Sequence, residues 1–74
     1  MNSIEVRLQK ILTEYGIDQN KITTDADYYF DLNLDMLDLM NLSKKIHKEF
    51  LIYIPEKEIF NMEKISDTIY LLEK

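Results

Sequence analysis

Gly16 is the only glycine in this 74-residue chain and Pro55 the only proline, so sharp turns have few places to form. On either side of these two breaks, apolar residues recur at helical spacing. Ile4, Leu8, Ile11, Leu12 and Tyr15 define one stripe, with Asn2 as a candidate cap and Glu5 completing a capping box. Gly16 should end that helix as a C-terminal cap. A second helix is predicted from Met36 to about Phe50, capped by Asp35, with Leu39, Leu42, Ile46 and Phe50 facing inward. Pro55 suits the first position of a short helix through about Asn61. A last helix from about Lys64 to Leu72 turns Ile65, Ile69 and Leu72 inward, with Ser66 and Asp67 at its start. Leu51 to Ile54 is the only strand candidate and is too isolated to pair. The expectation is an all-α fold: a single domain over 1–74, built as a small four-helix bundle with a long first loop and a short third helix.

Residues 17–34 form that loop. Ile17, Ile22, Ala26, Tyr28, Phe30 and Leu32 make it too apolar for a free linker, so it should be pinned across the helices. Asn33 is expected in the left-handed conformation that asparagine tolerates, tightening the turn into the second helix.

Several chemistries are excluded or disfavoured. With no cysteine there are no disulfides or thiolate metal sites, and His47 is the lone histidine, so structural zinc lacks ligands. Asp31-x-Asn33-x-Asp35 imitates half a calcium loop, but Met36 and Leu42 stand where the glycine and the bidentate glutamate belong. No metal is expected. The chain lacks a Ser-His-Asp set and a glycine-rich phosphate loop, so it is not read as an enzyme, and His47 is read as a solvated side chain. Tyr28, Tyr29 and Phe30 could stack bases, but their aspartate neighbours oppose nucleic acid; they are read as lids over the core. No apolar run approaches the roughly 20 residues of a membrane span, and the amino terminus lacks a basic-then-apolar signal. A cytoplasmic monomer, away from membranes, is the expectation.

Charge is focused. Asp25, Asp27, Asp31, Asp35 and Asp38 lie in residues 22–43, which contain no lysine or arginine. Elsewhere nine acids face nine bases, so the net charge of −5 is concentrated around Met36. The bland reading is a solvated acidic loop. The convergence of these acids on one helix start favours a docking role towards basic protein surfaces. Met36, Leu37 and Met40 are read as an exposed apolar knob beside them.

In that setting Asp35-Met36-Leu37 resembles the Asp-Ser-Leu of acyl carrier proteins, whose serine carries a phosphopantetheine arm. The likeness spans nearly the whole chain. Ser3-Ile4-Glu5, Arg7 and Lys10-Ile11-Leu12 look like the family's first helix, and Ala26, Tyr28 and Asp31-Leu32 like the segment before the attachment site. Asp35, Leu37, Asp38, Leu42 and Glu49-Phe50 match the second helix. Ile54-Pro55, Glu56, Glu58, Ile65, Ile69 and Tyr70 fit the remainder. The resemblance implies acyl groups carried as a phosphopantetheine thioester in fatty-acid, polyketide or related synthesis, with a phosphopantetheinyl transferase and acyl-processing enzymes as partners. Partner contacts are expected on Asp31, Asp35, Leu37, Asp38, Met40 and Lys44.

Three departures stand out. Asn33 replaces the usual glycine. Met36 occupies the serine position, and a thioether forms no phosphodiester, so no phosphopantetheine is expected on this chain. The pattern fits an engineered block as well as a natural relative that carries nothing. Finally, Asp38 and Glu49 against Lys44, Lys45 and Lys48 give residues 36–50 a charge of +1, where familiar members are acidic. Ser43, about 10 Å further along the helix at about 1.5 Å per residue, lacks the Asp-x-Leu context and should bond its own backbone. Two alternatives remain: an aminoacyl or peptidyl carrier, and an unmodified interaction module that binds a partner through Met36, Leu37 and Met40.

Overall fold

The computed structural model describes residues 3–73. Four helices follow in order: α1 (Ser3–Glu14), α2 (Met36–Phe50), α3 (Glu56–Asn61) and α4 (Ile65–Glu73), with a short 3-10 turn at Gln19–Lys21. Among the described residues there is no strand, only an isolated antiparallel bridge between Asp27 and Lys64. The expected all-α bundle is observed. The cap expected from Asn2 lies outside the described residues.

α1 ends at its glycine for a conformational reason. Gly16 has φ +109 and no neighbour within 4 Å of where a Cβ would stand, so space is not the constraint. Its N–H donates to the Thr13 carbonyl at 3.0 Å, and the Ile17 N–H to the Leu12 carbonyl at 3.1 Å. This pair of hydrogen bonds closes the helix, while Leu12 and Ile17 are both buried beside it.

The long loop is tied to the junction between α3 and α4. The Tyr28 N–H donates to the Glu63 carbonyl at 2.8 Å, and the Ile65 N–H to the Ala26 carbonyl at 3.1 Å. Tyr28 is buried, and its hydroxyl meets Thr68 Oγ1 at 2.6 Å; Thr68 in turn donates to Met62 Sδ at 3.1 Å. Asn33 adopts φ 57, the left-handed conformation expected of it. Phe30 departs from expectation: at 89% exposure it neither pins the loop nor covers the core. The cause is Asp27, whose Oδ1 accepts the N–H groups of Tyr29 (2.8 Å) and Phe30 (3.0 Å), folding 27–31 into a tight turn that leaves Phe30 outside.

Leu8, Leu12, Leu39, Leu42 and Ile46 form the centre of the core with Tyr28. Phe50 is only half-buried, and its ring carries the Arg7 guanidinium 4.2 Å from the centroid. Arg7 also donates to the Glu49 carboxylate at 3.0 Å and the Glu49 carbonyl at 2.8 Å, stapling α1 to the end of α2. Pro55 precedes α3, with ψ 150, instead of occupying its first turn. α4 begins at Ile65 because Asp67 reaches back to accept the N–H groups of Glu63 and Lys64, both at 2.9 Å.

Candidate functional site: the entry of helix α2

The first turn of α2 is held by reciprocal carboxylates. Asp35 is extended, φ −113 and ψ −177, and its Oδ1 accepts the Asp38 N–H at 2.9 Å. Asp38 Oδ2 accepts the Asp35 N–H at 3.0 Å. Two amides without helical partners are thereby satisfied, and both charges sit at the positive end of the helix dipole. From the end of α1, Tyr15 donates its hydroxyl to Asp38 Oδ1 at 2.6 Å. That bond is the main reason the Asp38 carboxyl is held below the usual carboxylate range, with the Asp35 amide adding to it. The same bond raises the Tyr15 phenol.

The acids read as a docking rim are therefore also braces. Asp31 Oδ2 accepts the Asp27 N–H at 2.7 Å, Asp27 caps its own turn, and Asp35 and Asp38 cap α2. Their charge still converges on the helix entry, with Asp31 and Asp35 exposed and Asp38 half-buried.

The apolar knob is smaller than expected. Leu37 is 70% exposed, but Met36 and Met40 are half-buried against the core. Helical geometry explains the difference: 36, 39, 40 and 43 share one face, on which Leu39 and Ser43 are buried, while Leu37 stands roughly 100° away from Met36. Met36 is neither sealed inside nor fully free.

Two side chains of α2 bear on the attachment of a phosphopantetheine arm, Met36 and Ser43. The position that the resemblance assigns to the arm offers a thioether, with no hydroxyl to esterify. Ser43 does have a hydroxyl, but it is buried and donates to the Leu39 carbonyl at 2.8 Å. Neither side chain presents a free oxygen nucleophile at the entry of α2.

Lys44 lies further along α2, exposed, at the mouth of a cavity of about 270 Å³ between α2 and α3. Met40, Ile54 and Ile59 wall it, and His47 and Tyr53 share its rim, their rings edge-on with centroids 6.1 Å apart. His47 is exposed as expected, and it lines this cavity. The Tyr15 contact with Asp38, the place of Tyr53 and the cavity have no signal in the sequence. The Tyr15–Asp38 bond joins residues 23 apart, and no local pattern announces it. Among the described residues no group of three or more His, Cys, Asp and Glu could hold a metal ion, and no helix is long and apolar enough to cross a membrane.

Comparison with known proteins fits this arrangement. The family model described as a phosphopantetheine attachment site matches residues 7–71, from within α1 to within α4. The chain is similar to an acyl carrier protein of Akkermansia muciniphila, at 31% identity over 74 residues, covering 99% of this chain and 92% of that protein. The chain therefore belongs to the acyl carrier protein family of phosphopantetheine attachment-site domains.

Proposed function

We propose that this chain is an acyl carrier protein scaffold that docks partners but carries no arm at Met36. One observation supports the reading above others: the capped entry of α2 is complete, with Asp35, Asp38 and exposed Leu37 in place, while residue 36 lacks a hydroxyl. In its serine form the same scaffold would present an acyl thioester to the enzymes of fatty-acid, polyketide or related synthesis, as a cytoplasmic monomer. Asp31, Asp35 and Leu37 would meet the partner directly; Asp38 would act mainly by holding the helix start. The test is treatment with a phosphopantetheinyl transferase and coenzyme A. The mass of the unaltered chain should not change, and Met36→Ser should gain one phosphopantetheine group. A gain on the unaltered chain would refute the reading.

A second reading, an interaction module with a permanent partner, draws support from Leu37, an apolar side chain exposed beside Asp35. It predicts a stoichiometric partner whose binding is independent of coenzyme A.

A further inference from the structure

Lys44, His47 and Lys48 recur at i, i+3 and i+4 on α2, and Leu51 follows at i+7, so a single stripe presents all four. All are exposed. Among the described residues Lys44, Lys45 and Lys48 make no ion pair; Glu49, the acid beside them, is taken by Arg7 at 3.0 Å. The stripe ends in two exposed apolar side chains, Leu51 (83%) and Tyr53 (72%). Leu51 is held there in the left-handed conformation, φ 58, which costs a non-glycine residue roughly 1–2 kcal/mol. Against this stripe opens the cavity walled by Met40, Ile54 and Ile59, with Glu56 the one acid on its lining.

The acidic entry of α2 does not cancel this charge. Lys44 and Lys48 lie roughly 9 and 15 Å beyond Asp38, the nearest acid of that entry, at about 1.5 Å per residue, past the screening length of about 8 Å at physiological salt. We infer that this end of α2 docks an acidic protein surface, whose carboxylates meet Lys44 and Lys48 and whose bulky apolar side chain enters the cavity. The inference rests on the docking reading above and names the partner's chemistry at a second point on the same helix. An apolar anchor in a pocket beside complementary charge is how interfaces concentrate affinity and orientation.

A protein suits the site better than the alternatives. The cationic stripe runs on past the cavity to Leu51, farther than a small molecule seated in the cavity would reach. An anionic membrane would gain only about 1 kcal/mol per lysine near its surface, against a chain of net charge −5.

The test is zero-length carbodiimide crosslinking of the tagged chain in extract of the cells that express it, with the crosslinks mapped by mass spectrometry. Amide bonds from Lys44 or Lys48 to a partner's Asp or Glu are expected. Lys44→Glu/Lys48→Glu, at exposed positions, should cut the yield about tenfold, equivalent to about 1.4 kcal/mol. Met40→Trp, which fills the cavity, should lower it similarly while circular dichroism is unchanged. Crosslinks running instead from Asp31 or Asp35 to partner lysines would overturn this inference and leave the docking reading standing. Crosslinks from neither end would overturn both. Co-sedimentation with phosphatidylserine vesicles in the absence of a crosslinked protein would assign the stripe to lipid and overturn the acidic partner.

Discussion

Replacing Tyr28 by phenylalanine removes one oxygen from the strap that holds the long loop against α4. Thr68 is fully buried and gives its proton to Met62 Sδ, so Tyr28 is the donor in their 2.6 Å bond. Tyr28→Phe leaves the Thr68 oxygen without that donor, at a cost of about 1–3 kcal/mol. In a domain of this size each kcal/mol moves Tm by about 4–8 °C, so a fall on the order of 5–20 °C is expected by calorimetry. Thr68→Val should cost at least as much, because it strands a buried tyrosine hydroxyl. The double variant should cost less than the sum of the two, since an apolar pair of the same shape leaves nothing unpaired. Burial of the Tyr28 hydroxyl also sets an alkaline limit, with the Thr68 bond acting in the opposite direction. Burial pushes the Tyr28 phenol up to about 12, whereas in the unfolded chain it returns to about 10. The neutral form is thus favoured by folding. The contribution is intact below pH ~10 and lost between about 10 and 12, amounting to about 3 kcal/mol. Urea unfolding of Tyr28→Phe across that range should show a shallower decline than the parent. A Tm within 1 °C of the parent, or an unchanged alkaline decline, would refute the argument.

Asp35→Ala deletes the cap of α2 and should cost about 1 kcal/mol, read from chemical denaturation. Tyr15→Phe removes the main cause of the low Asp38 pKa. The stability Asp38 supplies exists above its unfolded value and is lost as pH falls through the folded one, so NMR titration of the variant should show this carboxyl protonating at higher pH and acid unfolding beginning sooner. Leu51→Gly relieves an exposed left-handed residue and should raise stability by up to about 1 kcal/mol in thermal melts, because glycine adopts φ 58 without penalty. Met36→Ser should gain the mass of one phosphopantetheine without a change in helix content by circular dichroism.

What could be read from the residues was local. The stripe of α1, the stop at Gly16, the turn at Asn33 and the cap at Asp35 each depend on neighbours within a few positions, and each is found in the structure. The arc of Met36 and Met40 was also legible, since their spacing to Leu39 and Ser43 puts them on the inward face; the exposed knob overlooked it. Phe30 was misplaced because its hydrophobicity says nothing of the Asp27 turn that pushes it out. The Tyr15–Asp38 bond and the cavity beside His47 depend on how separate helices meet. One residue's spacing does not encode that.

The bonds bracing the first turn of α2 come from Asp35, Asp38 and Tyr15, and the side chain of Met36 supplies none of them. Position 36 is accordingly a socket whose fittings belong to its neighbours. A change of side chain at that position alone would leave the helix entry, and the face it turns to other molecules, nearly intact.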